Sequence, residues 1–158
     1  MKHSFLINGL YGASAHVSPP DVFEGLSGKE AGLKTEEAPH TVWDILFHMT
    51  WWQDLLLQKL QNGSPAYPAH NSETFPVSSV PGSEKEWHDT LQRFKDGLRE
   101  MEAETEKNLE DTGFDDGTAT RGDFIIDIIT HNSYHAAQAA QIRRMTGTWP
   151  PPSGGQTW

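Results

Sequence analysis

The stretch TRGDFIIDIITHNSYHAAQAAQIRRMTG, residues 120–147, decides the fold of this chain. It opens on Thr120 followed three residues later by Asp123. In that pattern a hydroxyl accepts an orphan N–H of a first helical turn while the acid reaches back. It closes on Arg143 and Arg144, which suit the negative end of a helix dipole, and on Gly147, a natural stop. The run between is free of proline and lacks the alternation of a strand, so it reads as one long helix.

The same cap chemistry recurs upstream at Ser18 (SPPD), Thr41 (TVWD) and Ser83 (SEKE). After Thr41, VWDILFHMTWWQDLLLQKLQ runs to Asn62–Gly63. After Ser83, Trp87, Leu91, Phe94, Leu98 and Met101 recur at spacings of four and three, an apolar stripe with charges between. A weaker helix is expected over Ser4–Ala15, and a short one after Pro19, where proline suits the first turn. There is no alternating strand pattern and no internal repeat. The expected fold is all-α, a four-helix bundle with a long loop between helices 2 and 3, in a single domain over residues 1–158.

Two stretches are not helical. The loop NGSPAYPAHNSETFPVSSVPGS, residues 62–83, is long for a compact domain and is expected to cross the bundle or cover something. The tail TGTWPPPSGGQTW, residues 146–158, has the composition of a mobile end, yet it carries Trp149 and Trp158. Two large apolar rings on a stiff triproline favour packing on the bundle.

Composition narrows the function classes. With 22 acidic residues against 12 basic, the net charge of −10 argues against nucleic-acid binding, which needs cations to displace counterions from phosphates. The opening residues lack the apolar core of a signal peptide, and no stretch is apolar enough to span a membrane. The chain has no cysteine. Disulfides, thiolate ligands and a cysteine nucleophile are therefore excluded, and a reducing cytoplasm is the expected location.

His131 and His135 are four apart on the last helix, so they stack on one face. Spacing alone is weak, because chance places about 0.4 such pairs in a chain of this composition. The surroundings add weight. The face also holds Phe124, Ile128 and Gln138, which makes it the inward one. His48 sits likewise with Ile45, Trp52 and Leu55 on the second helix. A buried imidazole without partners costs roughly 1–3 kcal/mol, and one metal ion would relieve three such costs together. The other reading is that each histidine is separately satisfied by a core hydrogen bond. Three neutral ligands would leave a tetrahedral Zn²⁺ one open position, as in catalytic sites, and imidazole also suits Ni²⁺ or Fe²⁺. Asp44 and Asp127 each precede a histidine by four and are candidates to orient it, against helix capping for Asp44 and a solvated face for Asp127. Tyr134, Gln138 and the 62–83 loop are candidates to line a pocket. His70 is the candidate fourth ligand to test, and His3, His16, His40 and His88 read as surface or loop residues.

HTVWDILFHMTWWQDLLLQKL with its single inward histidine, followed by HNSYHAAQAAQIRRMTG, resembles the DinB/YfiT-like superfamily of bacterial metal-binding four-helix bundles, over nearly the whole chain. The resemblance implies that His48, His131 and His135 bind a divalent ion, nickel or zinc before iron or manganese, and that the protein is a homodimer. Some relatives look like S-transferases or isomerases that use a small thiol such as bacillithiol or mycothiol as cosubstrate. Others resemble metal-dependent hydrolases. The chemistry implied is activation of a thiol or water towards a small-molecule substrate, with the thiol-dependent transferase slightly favoured and a non-catalytic metal-stabilised bundle as a third reading.

Overall fold

The computed structural model describes residues 4–13 and 15–155. Six α-helices follow one another: α1 (Ser4–Leu10), α2 (Pro19–Val22), α3 (Gly28–Ala31), α4 (Val42–Leu60), α5 (Glu84–Glu104) and α6 (Arg121–Met145). A short 3-10 helix, Asn71–Thr74, interrupts the loop between α4 and α5. Among the described residues no strand forms; Thr35 and Ala38 make a single bridge. The long helices α4, α5 and α6 pack together, α1 lies on α5 and α6, and these four make the bundle. Among the described residues no helix is long and apolar enough to cross a membrane. His3 and Trp158 lie outside the described residues.

The helix starts are fixed by local chemistry. Thr41 and Asp44 form a reciprocal capping box at the start of α4, and Thr120 and Asp123 form another at α6. At α5, Ser83 accepts from the Glu86 N–H, but the Glu86 carboxylate takes the Gly82 N–H instead. Ser18 makes no side-chain cap. The two residues after it are prolines, so the first turn of α2 has few N–H groups to cap. A further box, Ser27 with Glu30, opens α3 and has the same spacing in sequence.

The first helix is shorter than its Ser4–Ala15 expectation, and Gly12 is the reason. It adopts φ 63°, while Ala13 N–H bonds Asn8 O and Gly12 N–H bonds Gly9 O, which closes the end of α1. The His16 ring occupies the space a side chain at Gly12 would need. Helix α4 ends by the same bonding pattern with Asn62 at φ 65° in the role of Gly12.

The core follows the predicted stripes. Trp87, Phe94, Leu98 and Met101 of α5 are fully buried, against Ile45, Leu46 and Met49 of α4 and Ile125, Ile128 and Ala139 of α6. Two polar devices join the helices. The buried Gln53 amide donates to Phe94 O at 2.9 Å and accepts from Asn132 at 3.3 Å, linking α4, α5 and α6. Arg121, at the start of α6, makes a buried ion pair with Glu104 at the end of α5 and also donates to Leu60 O and Asp111.

Candidate metal centre

The periodicity that puts His48 among the apolar residues of α4 aims it at α6, where His131 and His135 occupy successive turns. One nitrogen from each of the three rings lies within 4.8 Å of the others. His48 Nε2 and His131 Nε2 are 3.2 Å apart. Two donors on a tetrahedral ion with bonds of ~2.0 Å would be separated by about 3.3 Å. His135 stands edge-on to both partners, with ring centroids 4.6 Å from His48 and 4.4 Å from His131.

The outer nitrogens fix which atoms face inward. His48 Nδ1 lies 2.7 Å from Thr74 Oγ1. That hydroxyl gives its own hydrogen to Asn71 O at 2.6 Å, so it accepts from His48 and leaves a lone pair on Nε2. His135 Nδ1 donates to Gln138 Oε1 at 2.7 Å, which leaves the lone pair on its Nε2 as well. His131 Nδ1 is buried without a partner. Burial, followed by the neighbouring charges of His135, His131 and His40, pushes His48 down to about 3. Burial and then His135 push His131 down to about 4, and burial lowers His135. All three imidazoles are neutral near pH 7, the form in which histidine binds metal. An all-imidazole cluster with inward lone pairs on His48 and His135 and no carboxylate fits a divalent transition-metal ion and does not fit Ca²⁺ or Mg²⁺, which take oxygen ligands.

The 62–83 loop covers this cluster. Its short 3-10 helix supplies Thr74, and the next residue, Phe75, stacks on His48 at 4.2 Å and 10°. The other face of Phe75 meets His40 at 4.6 Å, so His40 and His48 sandwich the ring. Nothing in the sequence singled out Thr74 or Phe75 except the length of their loop.

The other candidates divide. Gln138 orients His135 directly. Asp44 is committed to the Thr41 capping box and lies 3.8 Å from His40, so it is a cap and not the partner of His48. Tyr134 is 64% exposed, with its ring edge-on to His135 at 5.1 Å. Asp127 is exposed, and it lines a cleft of about 610 Å³ together with Tyr134 and His131. His70 caps the 3-10 helix and is not in the cluster. His16, read as a surface or loop residue, bridges Val17 O at 2.8 Å and Ser133 Oγ at 3.0 Å, tying its loop to α6.

Fold and cluster together define an all-α bundle able to hold a divalent ion on three histidines. Residues 20–139 match the family model of the DinB superfamily, and the chain belongs to that superfamily. The matched span includes all three histidines, Thr74 and Gln138. No curated protein and no solved structure shows significant similarity to the chain.

Proposed function

We propose that this protein is a metal-dependent enzyme in which His48, His131 and His135 hold one divalent ion, Ni²⁺ or Zn²⁺ ahead of Fe²⁺ or Mn²⁺. In this reading a small thiol is the nucleophile in an S-transfer to an electrophilic small molecule. One observation carries it: His48 and His135 each have the outer nitrogen bound to an acceptor, so their inner lone pairs converge with His131 on a common point. A divalent ion held there lowers the pKa of a bound thiol or water, which makes it a nucleophile at neutral pH.

The chain's own residues do the rest. Thr74 and Gln138 hold two imidazoles in the metal-binding tautomer. Phe75 shields one side of His48 from water, and the cleft beside His131 leaves a path for substrate. A cysteine-free chain supplies no thiol of its own, which favours an exogenous one such as bacillithiol or mycothiol. The protein would work in the cytoplasm as a homodimer. Water in place of the thiol would make the same centre a hydrolase, and an inert ion would make it a structural site.

Metal analysis of the purified protein, followed by turnover assays of the loaded form, tests this. Near-stoichiometric Ni or Zn with thiol consumption in the presence of an alkylating electrophile is expected. Ester or amide cleavage without thiol would replace the transferase by a hydrolase. Turnover that survives complete metal removal would overturn the reading.

A further inference from the structure

The cleft beside His131 is built differently from the cluster it adjoins. Trp52 of α4, Tyr67 of the covering loop and Phe124 and Tyr134 of α6 contribute aromatic walls, and His131 borders it. Asp127 is the one charged group in the lining other than the titratable histidine. Along α6, Asp127, His131 and Tyr134 fall at i, i+4 and i+7, so they share a face. Asp127 is therefore one turn, about 6 Å along the axis, from His131 and on the side away from His135. Its carboxylate has no hydrogen bond or ion pair among the described residues, whereas Asp44, Asp111, Asp115 and Asp123 are each engaged.

Tyr67 is held over this cleft by a designed-looking set of contacts. Its hydroxyl donates to Asp115 Oδ2 at 2.8 Å, Asp115 pairs with Lys59, and the Lys59 ammonium sits 4.1 Å from the Tyr67 ring centre. The Trp52 and Tyr67 rings lie 6.4 Å apart, tilted by 41°. Burial, the bond to Asp115 and the charges of Asp115, Asp127 and Asp116 push the Tyr67 phenol up to about 12. Burial disfavours either sign of charge, and the carboxylates of Asp115, Asp127 and Asp116 are the part that disfavours an anion at this end of the bundle. Lys59 adds no net charge, being neutralised by Asp115.

We propose that this cleft is a recognition subsite for an organic cation, an amine or quaternary ammonium on an apolar body, with its charge against Asp127 and among the rings of Trp52, Tyr67 and Tyr134. Aromatic faces attract such cations by their quadrupole, and a carboxylate without a partner completes the cage. The inference rests on the metal-centre reading for its role, because it places a charged substrate handle one helical turn from the reacting centre. The net charge of −10 draws the same class of ligand towards the protein.

Benzyltrimethylammonium, benzyl alcohol and benzoate, titrated into the protein with tryptophan fluorescence and calorimetry, test the proposal. The cation should bind about tenfold more tightly than the alcohol, and benzoate more weakly still. Asp127→Asn, a change on an exposed face that leaves the fold intact, should lose most of that preference, and Trp52→Leu should weaken the cation further. Equal binding of the three probes, or a cation preference untouched by Asp127→Asn, would overturn it. Each titration is run on metal-loaded and chelated protein beside a metal assay. Cation selectivity without stoichiometric metal sinks the metal-centre reading alone, and stoichiometric metal without cation selectivity sinks this one alone.

Discussion

Thr74 and His48 meet across 26 positions of sequence, hydroxyl to imidazole at 2.7 Å, and this contact ties the covering loop to the three-histidine cluster. Because the Thr74 hydrogen is spent on Asn71 O, the hydroxyl serves His48 as an acceptor. Thr74→Val keeps the shape and removes the acceptor. Loss of such an outer partner typically costs 10- to 100-fold in metal affinity. Competition with a coloured chelator should show a drop of about that size for Thr74→Val and near wild-type affinity for Thr74→Ser. Equal affinities across all three proteins would show that the hydroxyl is only a loop contact.

The histidines themselves should behave as a unit. His48→Ala, His131→Ala and His135→Ala are each expected to abolish stoichiometric metal binding. Chelation of the wild type should lower its melting temperature, because an ion held only by the folded state stabilises it by mass action. Emission or mass spectrometry on dialysed protein provides the count. A His48→Ala/His131→Ala double variant that still retains one ion per chain would end the assignment.

Metal-free protein should lose stability on mild acidification. The folded state holds His48 at about 3 and His131 at about 4, chiefly through burial, against roughly 6.5 in an unfolded chain. Between those values the unfolded chain binds more protons, so stability is full above about 6.5 and falls as pH drops towards the folded values. The slope approaches about 1.4 kcal/mol per pH unit for each titrating histidine, less where water reaches the half-buried His131. Urea midpoints of chelated protein at pH 7.5, 6.5 and 5.5 should decline in that order, and His48→Gln should flatten the decline. Constant midpoints over this range would contradict the burial that depresses these groups.

What the sequence disclosed, and what it withheld, follows from how far each interaction reaches. The caps at Thr41 and Thr120 need only residues three apart, so they were legible, as was the stripe from Trp87 to Met101. His48, His131 and His135 were legible because helical periodicity fixes which way a side chain points before any partner is known. Thr74 and Phe75 were not, because no period governs a residue in a 62–83 loop whose path depends on the bundle beneath it. Asp44 and Asp127 precede His48 and His131 by the same four residues, yet neither bonds its histidine. Spacing cannot say whether a carboxylate turns to a side chain, a backbone N–H or water. At Asp44 the cap won.

Nothing in the sequence marks Arg121, since a basic residue at a helix start reads as unfavourable to the dipole. Its reason is Glu104, 2% exposed, which Arg121 and Lys107 both serve. Removing one member of a buried pair costs about 3–5 kcal/mol when the other is left uncompensated, but here the half-exposed Lys107 still faces Glu104. Arg121→Met should therefore destabilise the protein in urea unfolding by part of that amount, about 1–3 kcal/mol. The Arg121→Met/Glu104→Met double variant should recover much of the loss, whereas additive losses would place the importance of Arg121 in its bond to Leu60 O.

The C-terminal segment should contribute to stability, although proline, glycine and serine dominate it. Arg143 is 2% exposed and donates to Val22 O at 2.6 Å, Glu24 O at 3.0 Å and Thr148 O at 3.0 Å, clasping the end of α6, the turn after α2 and the start of the tail. Trp149 then lies against the core, with the Arg144 guanidinium 4.7 Å from its ring. Pro151 is buried, Pro152 fills the space beside Gly25, and Gly155 sits so close to the Trp149 indole that a side chain there would collide with it. Half-burying a tryptophan removes about 100 Å² of apolar surface from water, and with the prolines the total gain is on the order of 2–3 kcal/mol. Deleting residues 149–158 should accordingly lower the melting temperature by about 4–12 °C in a chain of this size. Trp149→Ala should account for most of that shift, and Gly155→Val, which forces the ring aside, for a smaller part. A truncated protein that melts at the wild-type temperature, with fast amide exchange along the tail of the full chain, would show that the clasp ends at Thr148.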